Sequence, residues 1–541
     1  MGDVNFQAPA DAFRGLRNSA EPAGGAAWLY EHVYRTFLGP RIYYPRPASE
    51  RSAFTHTEWD KWIAGEVWFP RIAVAHGVYP YKVFLTGSYP SGTTWAWYPH
   101  ESNGSTIYYL RLYNAGMTAG TYSFRLTVRD QLFNSASVSI SLTVYAANDA
   151  AILDHFRIYQ QGSGGGGTGT AAAPFNDFAA LWGDDYNNTA QCPPNAIVLL
   201  KGTATLTMPS ISNEPNAALF HCGGNRPKQI VGAYGSAITF DLATSAKGWT
   251  VAAGADDWLM KNITLSGNPS TSLQTSNQIG QANFDKRCAF HDLTFYNYDA
   301  ADPSNYNLGA LGGDGSTYEK EYSSILGCTL DSIIASSAAT NASGIMVMEV
   351  TSFLIDEITL TNFGTGGAQH PGYGVRFKHH SHTSEIRRVT ALQGTQIAST
   401  ASLGNYPISV GTGGGDLQHT DCVIRYCNVN AGAANRAIGV GAGNTASNAY
   451  SVRLYFNTCV GLIGLNGQTN VASTLHSYRN LTENAATNNG MGTVRSDWGA
   501  VSGEASVLED NLNGSAGTLV DSSGVPLSSA NYGYGHYLPA I

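Results

Sequence analysis

Leu354-Ile-Asp-Glu-Ile-Thr-Leu360 is one of a family of short runs that recur along the C-terminal two-thirds of the chain. The others are Leu259-Met-Lys-Asn-Ile-Thr-Leu265, Ala289-Phe-His-Asp-Leu-Thr-Phe295, Ile325-Leu-Gly-Cys-Thr-Leu330, Glu385-Ile-Arg-Arg-Val-Thr-Ala391, Val423-Ile-Arg-Tyr-Cys-Asn-Val429 and Arg453-Leu-Tyr-Phe-Asn-Thr-Cys-Val460. They end in a triplet with Thr or Asn at its centre. These central residues are Thr264, Thr294, Thr329, Thr359, Thr390, Asn428 and Thr458, separated by steps of 30, 35, 30, 31, 38 and 30 residues. A period near 30 with variable insertions is a solenoid signal. The chain shows no Leu-x-x-Leu-x-Leu lattice and no 3.6-residue periodicity, and a propeller blade needs more than about 30 residues. Three short strands and three corners fit the interval, so the runs predict an all-β fold, a right-handed parallel β-helix.

The alternation breaks just before each triplet, at Lys261-Asn262, His291-Asp292 and Leu326-Gly327. A corner there needs a residue tolerant of left-handed backbone, which Asn, Asp and Gly are. Glu357, Arg388 and Tyr426 at the same point are less typical. Ala196-Ile-Val-Leu-Leu200 with Ala204-Thr-Leu-Thr-Met208, and Gln229–Gly235 with Ala237–Asp241, supply opening coils. The alignment puts Cys328 and Cys427 in the slot of Ile263, Leu293, Ile358 and Val389, and Cys459 in that of Leu265 and Phe295. These cysteines read as stacked core residues, packed as small hydrophobes.

Composition supports an exterior all-β protein. Charged residues are 13% of the 541, about half the usual share, so Ser, Thr, Asn and Gly must supply the polar surface. A net charge of −9 argues against a nucleic-acid partner, which needs a basic face. Seven cysteines without framework spacing leave at least one thiol free. No stretch approaches the roughly 18 apolar residues of a membrane span. Residues 1–13 lack the basic and apolar regions of a signal peptide. An exterior composition without a secretion signal is what a virion protein, released by lysis, would carry, and a secreted protein whose signal had been removed would read the same.

The domain organisation expected is an irregular N-terminal arm or anchor over 1–65, an Ig-like β-sandwich over 66–150, a Gly-rich joint and opening cap over 151–185, the parallel β-helix over 186–500, and a C-terminal cap or tail over 501–541. A short helix fits Ala26–Phe37. Strict period-two alternation in Tyr81–Thr86, Thr106–Leu112, Gly120–Val128 and Ser135–Val144 predicts half-buried antiparallel strands. Ala119–Asp130 followed by Ala136–Val144 resembles the last two strands of the Ig-like, cadherin-like modules of bacterial and phage surface proteins. Those modules are mostly spacers, and the acidic calcium motifs of true cadherins are missing here. Gly169-Thr-Ala-Ala-Ala-Pro-Phe175, then Phe178–Leu181, resembles the segment that leads into many β-helix proteins. A solenoid needs such a cap over its first open rung.

An Ig-like spacer before a β-helix resembles bacteriophage tailspikes and tail fibres, and also secreted pectate-lyase-like proteins. The resemblance is one of architecture, and fold does not fix function. It implies a virion-surface or extracellular protein that recognises a host cell-surface polysaccharide, with or without depolymerising it. It also implies a homo-oligomer, expected to be a homotrimer, attached to other virion proteins through its N-terminal region. The alternatives are a secreted polysaccharide lyase or glycoside hydrolase with an accessory Ig-like domain, and a non-catalytic structural or adhesive protein.

Three insertions between coils hold the chemistry-bearing residues: 297–322, 364–383 and 394–421. Glycoside hydrolysis needs two carboxyl groups, and Asp314 with Glu319 or Glu321 are the candidates, although acids in loops are usually just solvated. β-Elimination from a uronic acid needs a base and a cation for the carboxylate, and Arg376, Lys378 and His379 could serve. Candidate sugar-binding residues are Tyr318, His370, Tyr373, Tyr406, Asp416 and His419, since sugar rings stack on aromatic faces and polar groups read hydroxyls. His379-His-Ser-His382 is a weak metal motif, because adjacent strand residues point to opposite faces. No metal site and no cofactor is expected.

Overall fold

The period read from the triplets is the hydrogen-bonding register of the folded chain. The structure is a computed structural model that describes residues 39–50, 57–78, 81–99, 106–130, 132–163, 167–177, 181 and, within 196–527, the solenoid strands and corner residues named below. The expected helix at Ala26–Phe37 and the tail Asn531–Pro539 lie outside the described residues. Thr264 stands opposite Thr294, then in turn come Thr329, Thr359, Thr390, Asn428 and Thr458, every pairing parallel. Thr205 and Thr239 extend the ladder toward the N-terminus. The fold is an all-β parallel β-helix.

The coils build three sheets. The first runs from Phe156–Gln160 and Ile197–Lys201 through Gln229–Gly232, Leu259–Lys261, Ala289–His291 and Ser324–Leu326 to Val507–Glu509. The second carries the Thr ladder. The third runs from Thr250–Val251 to Leu462–Asn466. Met260, Phe290, Ile325, Ile355, Ile386 and Ile424 stack inward from the first sheet, and Leu265, Phe295, Leu330, Leu360 and Val429 from the second. Each buried side chain of this kind contributes about 1.5–3 kcal/mol, and neighbouring rungs about 4.8 Å apart leave no gap between them. Cys328, Cys427 and Cys459 lie in this core as the alignment predicts, joined by Cys288 and Cys422. Burial pushes the thiols of Cys328, Cys422 and Cys427 up to about 12.

Asn262, Asp292 and Gly327 take left-handed backbone, and so do Glu357, Arg388, Tyr426 and Phe456. The corner therefore holds at the positions whose residue types fit it poorly. Left-handed backbone costs a non-glycine residue about 1–2 kcal/mol, and the side chains offset this. Arg388 Nε and Nη2 each donate to Asp356 at 2.6 Å, Glu357 pairs with Arg71 at 2.6 Å, and Tyr426 stacks on Phe456. A second left-handed corner lies five residues earlier in six of these coils, at Asp257, Arg287, Tyr322, Ser352, Thr383 and Asp421.

The expected strands of the N-terminal region form. Lys82–Gly87, Gly120–Arg129 and Ser135–Tyr145 make an antiparallel sheet, with Lys61–Ile63 added parallel to its edge. Thr94–Pro99 and Thr106–Tyr113 form a hairpin. Trp59, Trp62 and Trp68 are fully buried beside Leu112, Leu126 and Leu142. The same apolar cluster takes in Ile197, Leu199, Val231, Leu259, Leu326 and Leu354, residues of the first sheet that alternate with the inward ones. The N-terminal module is thus packed against the outer face of the first sheet. At the solenoid's start, Phe175 donates its N–H to Ile158 O and accepts from Gln160 N, and its ring lies in the core.

Candidate functional site

The outer face of the second sheet is open and uncharged over much of its length. Parity forces this composition: residues between the inward Leu265, Phe295, Leu330 and Leu360 must face out. Thr205 and Thr359 are exposed, and Thr239, Thr264, Thr294, Thr329 and Thr390 are half-buried. At about 4.8 Å per rung these hydroxyls span about 29 Å. The next outward rank holds Ser266, Tyr296, Asp331 and Thr361 in register. Tyr296 is 45% exposed, and Asn362 Nδ2 donates to Asp331 Oδ1 at 3.0 Å. Toward the C-terminus the face closes, with Asn428 and Thr458 buried. Tyr296 was not among the residues picked from the sequence. Its signal was available, because it sits two positions beyond Thr294 and so shares that residue's face.

The third sheet brings together four of the predicted residues, Tyr373, Arg376, Lys378 and Tyr406. Tyr373 pairs in register with Tyr406, and Arg376 with Ser409. The two tyrosine rings stack at 5.5 Å and 20°, and the Arg376 guanidinium lies 4.1 Å from the centre of the Tyr373 ring. Gly439 lies between the inward Ile438 and Val440 and so faces outward; a Cβ there would fall 2.7 and 2.9 Å from Tyr406 ring atoms. Tyr406 therefore lies on the outer face over a glycine that makes room for it. Both tyrosines are buried, so the Tyr373 ring, backed by Tyr406, carries Arg376 and neither ring leaves a face free for a sugar. Arg376 projects outward between the inward Val375 and Phe377, is 3% exposed, and has no partner for Nε among the described residues. Lys378 follows two residues on and is half-buried. Burial, and then the charge of Arg376, push its ammonium down to about 8.

The other predicted residues are placed as follows. Glu321 forms an ion pair with Lys286 at 3.3 Å, just before the corner into the first sheet. Asp314, Tyr318, Glu319, His370 and Asp416 lie outside the described residues. His379 and His419 are described by backbone alone, His419 opposite Ser381. The rings of His380 and His382 stack at 6.4 Å. Among the described residues, no group of three or more His, Cys, Asp or Glu is placed to hold a metal ion, and no helix is long and apolar enough to cross a membrane.

Among the described residues, the largest concentration of charge is one that sequence reasoning missed. It lies between the module and the first sheet, where one outward ladder reads Lys261, His291, Leu326, Asp356, Arg387, Arg425 and Tyr455. Lys261 bonds Glu58 at 2.8 Å. Arg71 and Arg111 both grip Asp292. Arg387 pairs with Asp356 at 2.7 Å and donates to Tyr81 Oη and Val74 O. Arg425 pairs with Glu385 and donates to Gly77 O at 2.8 Å. The arginines hold the carboxyls of Asp292, Asp356 and Glu385 below the ordinary range despite their burial. Two histidines are enclosed as well. Burial and neighbouring cations push His76 down to about 4 and His291 well below its usual value. These groups hold one part of the chain to another and are enclosed by it. No family model, no curated protein and no solved structure matches the chain.

Proposed function

We propose that this chain is a surface β-helix that recognises a polysaccharide along the open outer face of its second sheet. The observation that carries the reading is Tyr296, an exposed aromatic in the rank beside a register-aligned ladder of threonine hydroxyls. Tyr offers an apolar ring with a polar tip, and hydroxyls both donate and accept. That combination suits a sugar, which presents C–H faces and hydroxyl edges. A ladder of about 29 Å suits a chain laid along the solenoid axis better than a small molecule. The low charge of the surface favours hydrogen bonding and stacking. The reading is one of binding; Glu321, the one described member of the predicted acid pair, is engaged by Lys286.

A virion or cell surface is the setting that fits, with an Ig-like N-terminal module that braces the solenoid along its first sheet and a homotrimer as the assembly. Light scattering of the purified chain tests the assembly, and a monomer refutes it. The binding itself is tested by titrating a polysaccharide panel against wild type and Tyr296→Ala. Loss of one stacking contact should weaken binding about fivefold, near 1 kcal/mol. Absence of binding to every polysaccharide, or an unchanged affinity in the variant, refutes the reading.

A further inference from the structure

Among the described residues, Arg376 differs from the other buried arginines in having no counter-charge. Arg71, Arg111, Arg387 and Arg425 are each buried and each paired with a carboxylate. Arg376 is as deeply buried, faces outward from the third sheet, and no acid among the described residues bonds it. Its planar group is held over the Tyr373 ring, and Tyr373 is backed by Tyr406. A cation over an aromatic face gains about 0.5–2 kcal/mol, less than the several kcal/mol that desolvating an ion costs. Lys378, on the same face, adds a second positive charge, which raises the cost further. Gly439 keeps the backbone clear of Tyr406, so the seat is built across three adjacent strands.

We propose that Arg376, seated on Tyr373, which Tyr406 backs, and flanked by Lys378, is a binding site for the carboxylate of an acidic sugar. A guanidinium offers two parallel N–H donors that match the two oxygens of a carboxylate. Lys378 stands at the more open end of the face, where the anion approaches. The site lies on the third sheet, apart from the Thr face of the second; the proposal rests on the reading of the chain as a polysaccharide binder and names the class of chain bound: one that carries uronic-acid-type residues.

The test titrates the full chain with hyaluronan, alginate and polygalacturonate, each beside its carboxyl-reduced neutral form, and with dextran sulfate. At least one acidic polysaccharide should bind, and its reduced form should bind at least about tenfold more weakly. Arg376→Gln should lose the same factor toward the acidic form. Its melting temperature should stay level or rise, because the substitution removes an uncompensated buried charge. Equal binding of acidic and reduced forms, or binding of dextran sulfate alone, overturns the carboxylate site and leaves the polysaccharide reading standing. A lowered melting temperature with unchanged affinity assigns Arg376 a structural role and also overturns the site. Binding to no polysaccharide overturns the underlying reading, and the site with it.

Discussion

Lys261→Met should loosen the N-terminal module from the solenoid, and the size of the effect follows from the surroundings of the ammonium. Lys261 and Glu58 both have side chains 0% exposed, with Nζ 2.8 Å from Oε2. The same Nζ donates to Phe69 O at 2.5 Å and lies 3.9 Å from the centre of the Phe69 ring. Burial outweighs the pull of Glu58 and lowers the Lys261 pKa, so the pair is held at the edge of its desolvation cost. Removing only the lysine strands the Glu58 carboxylate, whose other acidic-oxygen contact is Tyr44 Oη at 3.5 Å. Stranding one member of a buried pair costs about 3–5 kcal/mol, whereas replacing both by apolar groups of similar volume is neutral or stabilising by about 1–4 kcal/mol. Lys261→Met should therefore lose about 4 kcal/mol, a factor near 10³, and Lys261→Met with Glu58→Met should regain it. Guanidinium denaturation followed by tryptophan fluorescence reports the change, because Trp59, Trp62 and Trp68 sit in the cluster that seals the contact. A single variant within about 1 kcal/mol of wild type, or a double variant as weak as the single, refutes the reasoning.

Acid should loosen the same contact. His76 is depressed from 6.5 to about 4 and His291 further, so the opened form takes up protons first, and stability is complete above about pH 6.5 and falls toward pH 4. His76 alone accounts for about 3 kcal/mol over that window. The depressed Asp292, Asp356 and Glu385 extend the loss below pH 4, and hydrogen exchange at residues 57–76 as a function of pH would read both phases; exchange that is flat between pH 7 and 4 counts against the scheme. Gly439→Ala should destabilise by about 1–3 kcal/mol, since its methyl would lie 2.7 Å from the Tyr406 ring, and a melting temperature equal to wild type would refute the assigned packing. A thiol reagent at neutral pH should modify none of Cys288, Cys328, Cys422, Cys427 and Cys459 in the native protein, all being buried, and peptide mapping that finds label on any of them would contradict the stacked core.

The β-helix was legible in the sequence because its evidence is a repeat. Each coil meets the same two neighbours, so the inward slot of Ile263 recurs as Leu293, Cys328, Ile358, Val389 and Cys427. The corner rule was legible only where Asn262, Asp292 and Gly327 obey local preference. Glu357, Arg388 and Tyr426 occupy the same left-handed backbone because the register on both sides requires it and their side chains find partners. The earlier corner, at Arg287, Tyr322 and Thr383, left no trace in residue type. The charged ladder from Lys261 to Arg425 looked like an ordinary wet strand face. What makes it an interior is the N-terminal module laid over it, a contact between residues more than 180 positions apart. Tyr373, Arg376 and Tyr406 were picked for being in residue-rich insertions. The register then joined them, and their burial turned two expected sugar platforms into a seat for the guanidinium.

The reach of that module has a mechanical consequence. A solenoid is close to one-dimensional: each coil feels only its neighbours, so coils can fray from an end one after another. Here Glu66 holds Lys201, Arg71 holds both Asp292 and Glu357, and Gly77 holds Arg425. One folded unit thus touches coils spread over more than 220 residues of sequence. Detaching an early coil in that interval means giving up bonds to a late one. Long-range bracing of this kind adds a coupling term that the nearest-neighbour description lacks, and the coils between Lys201 and Arg425 should melt as one cooperative block.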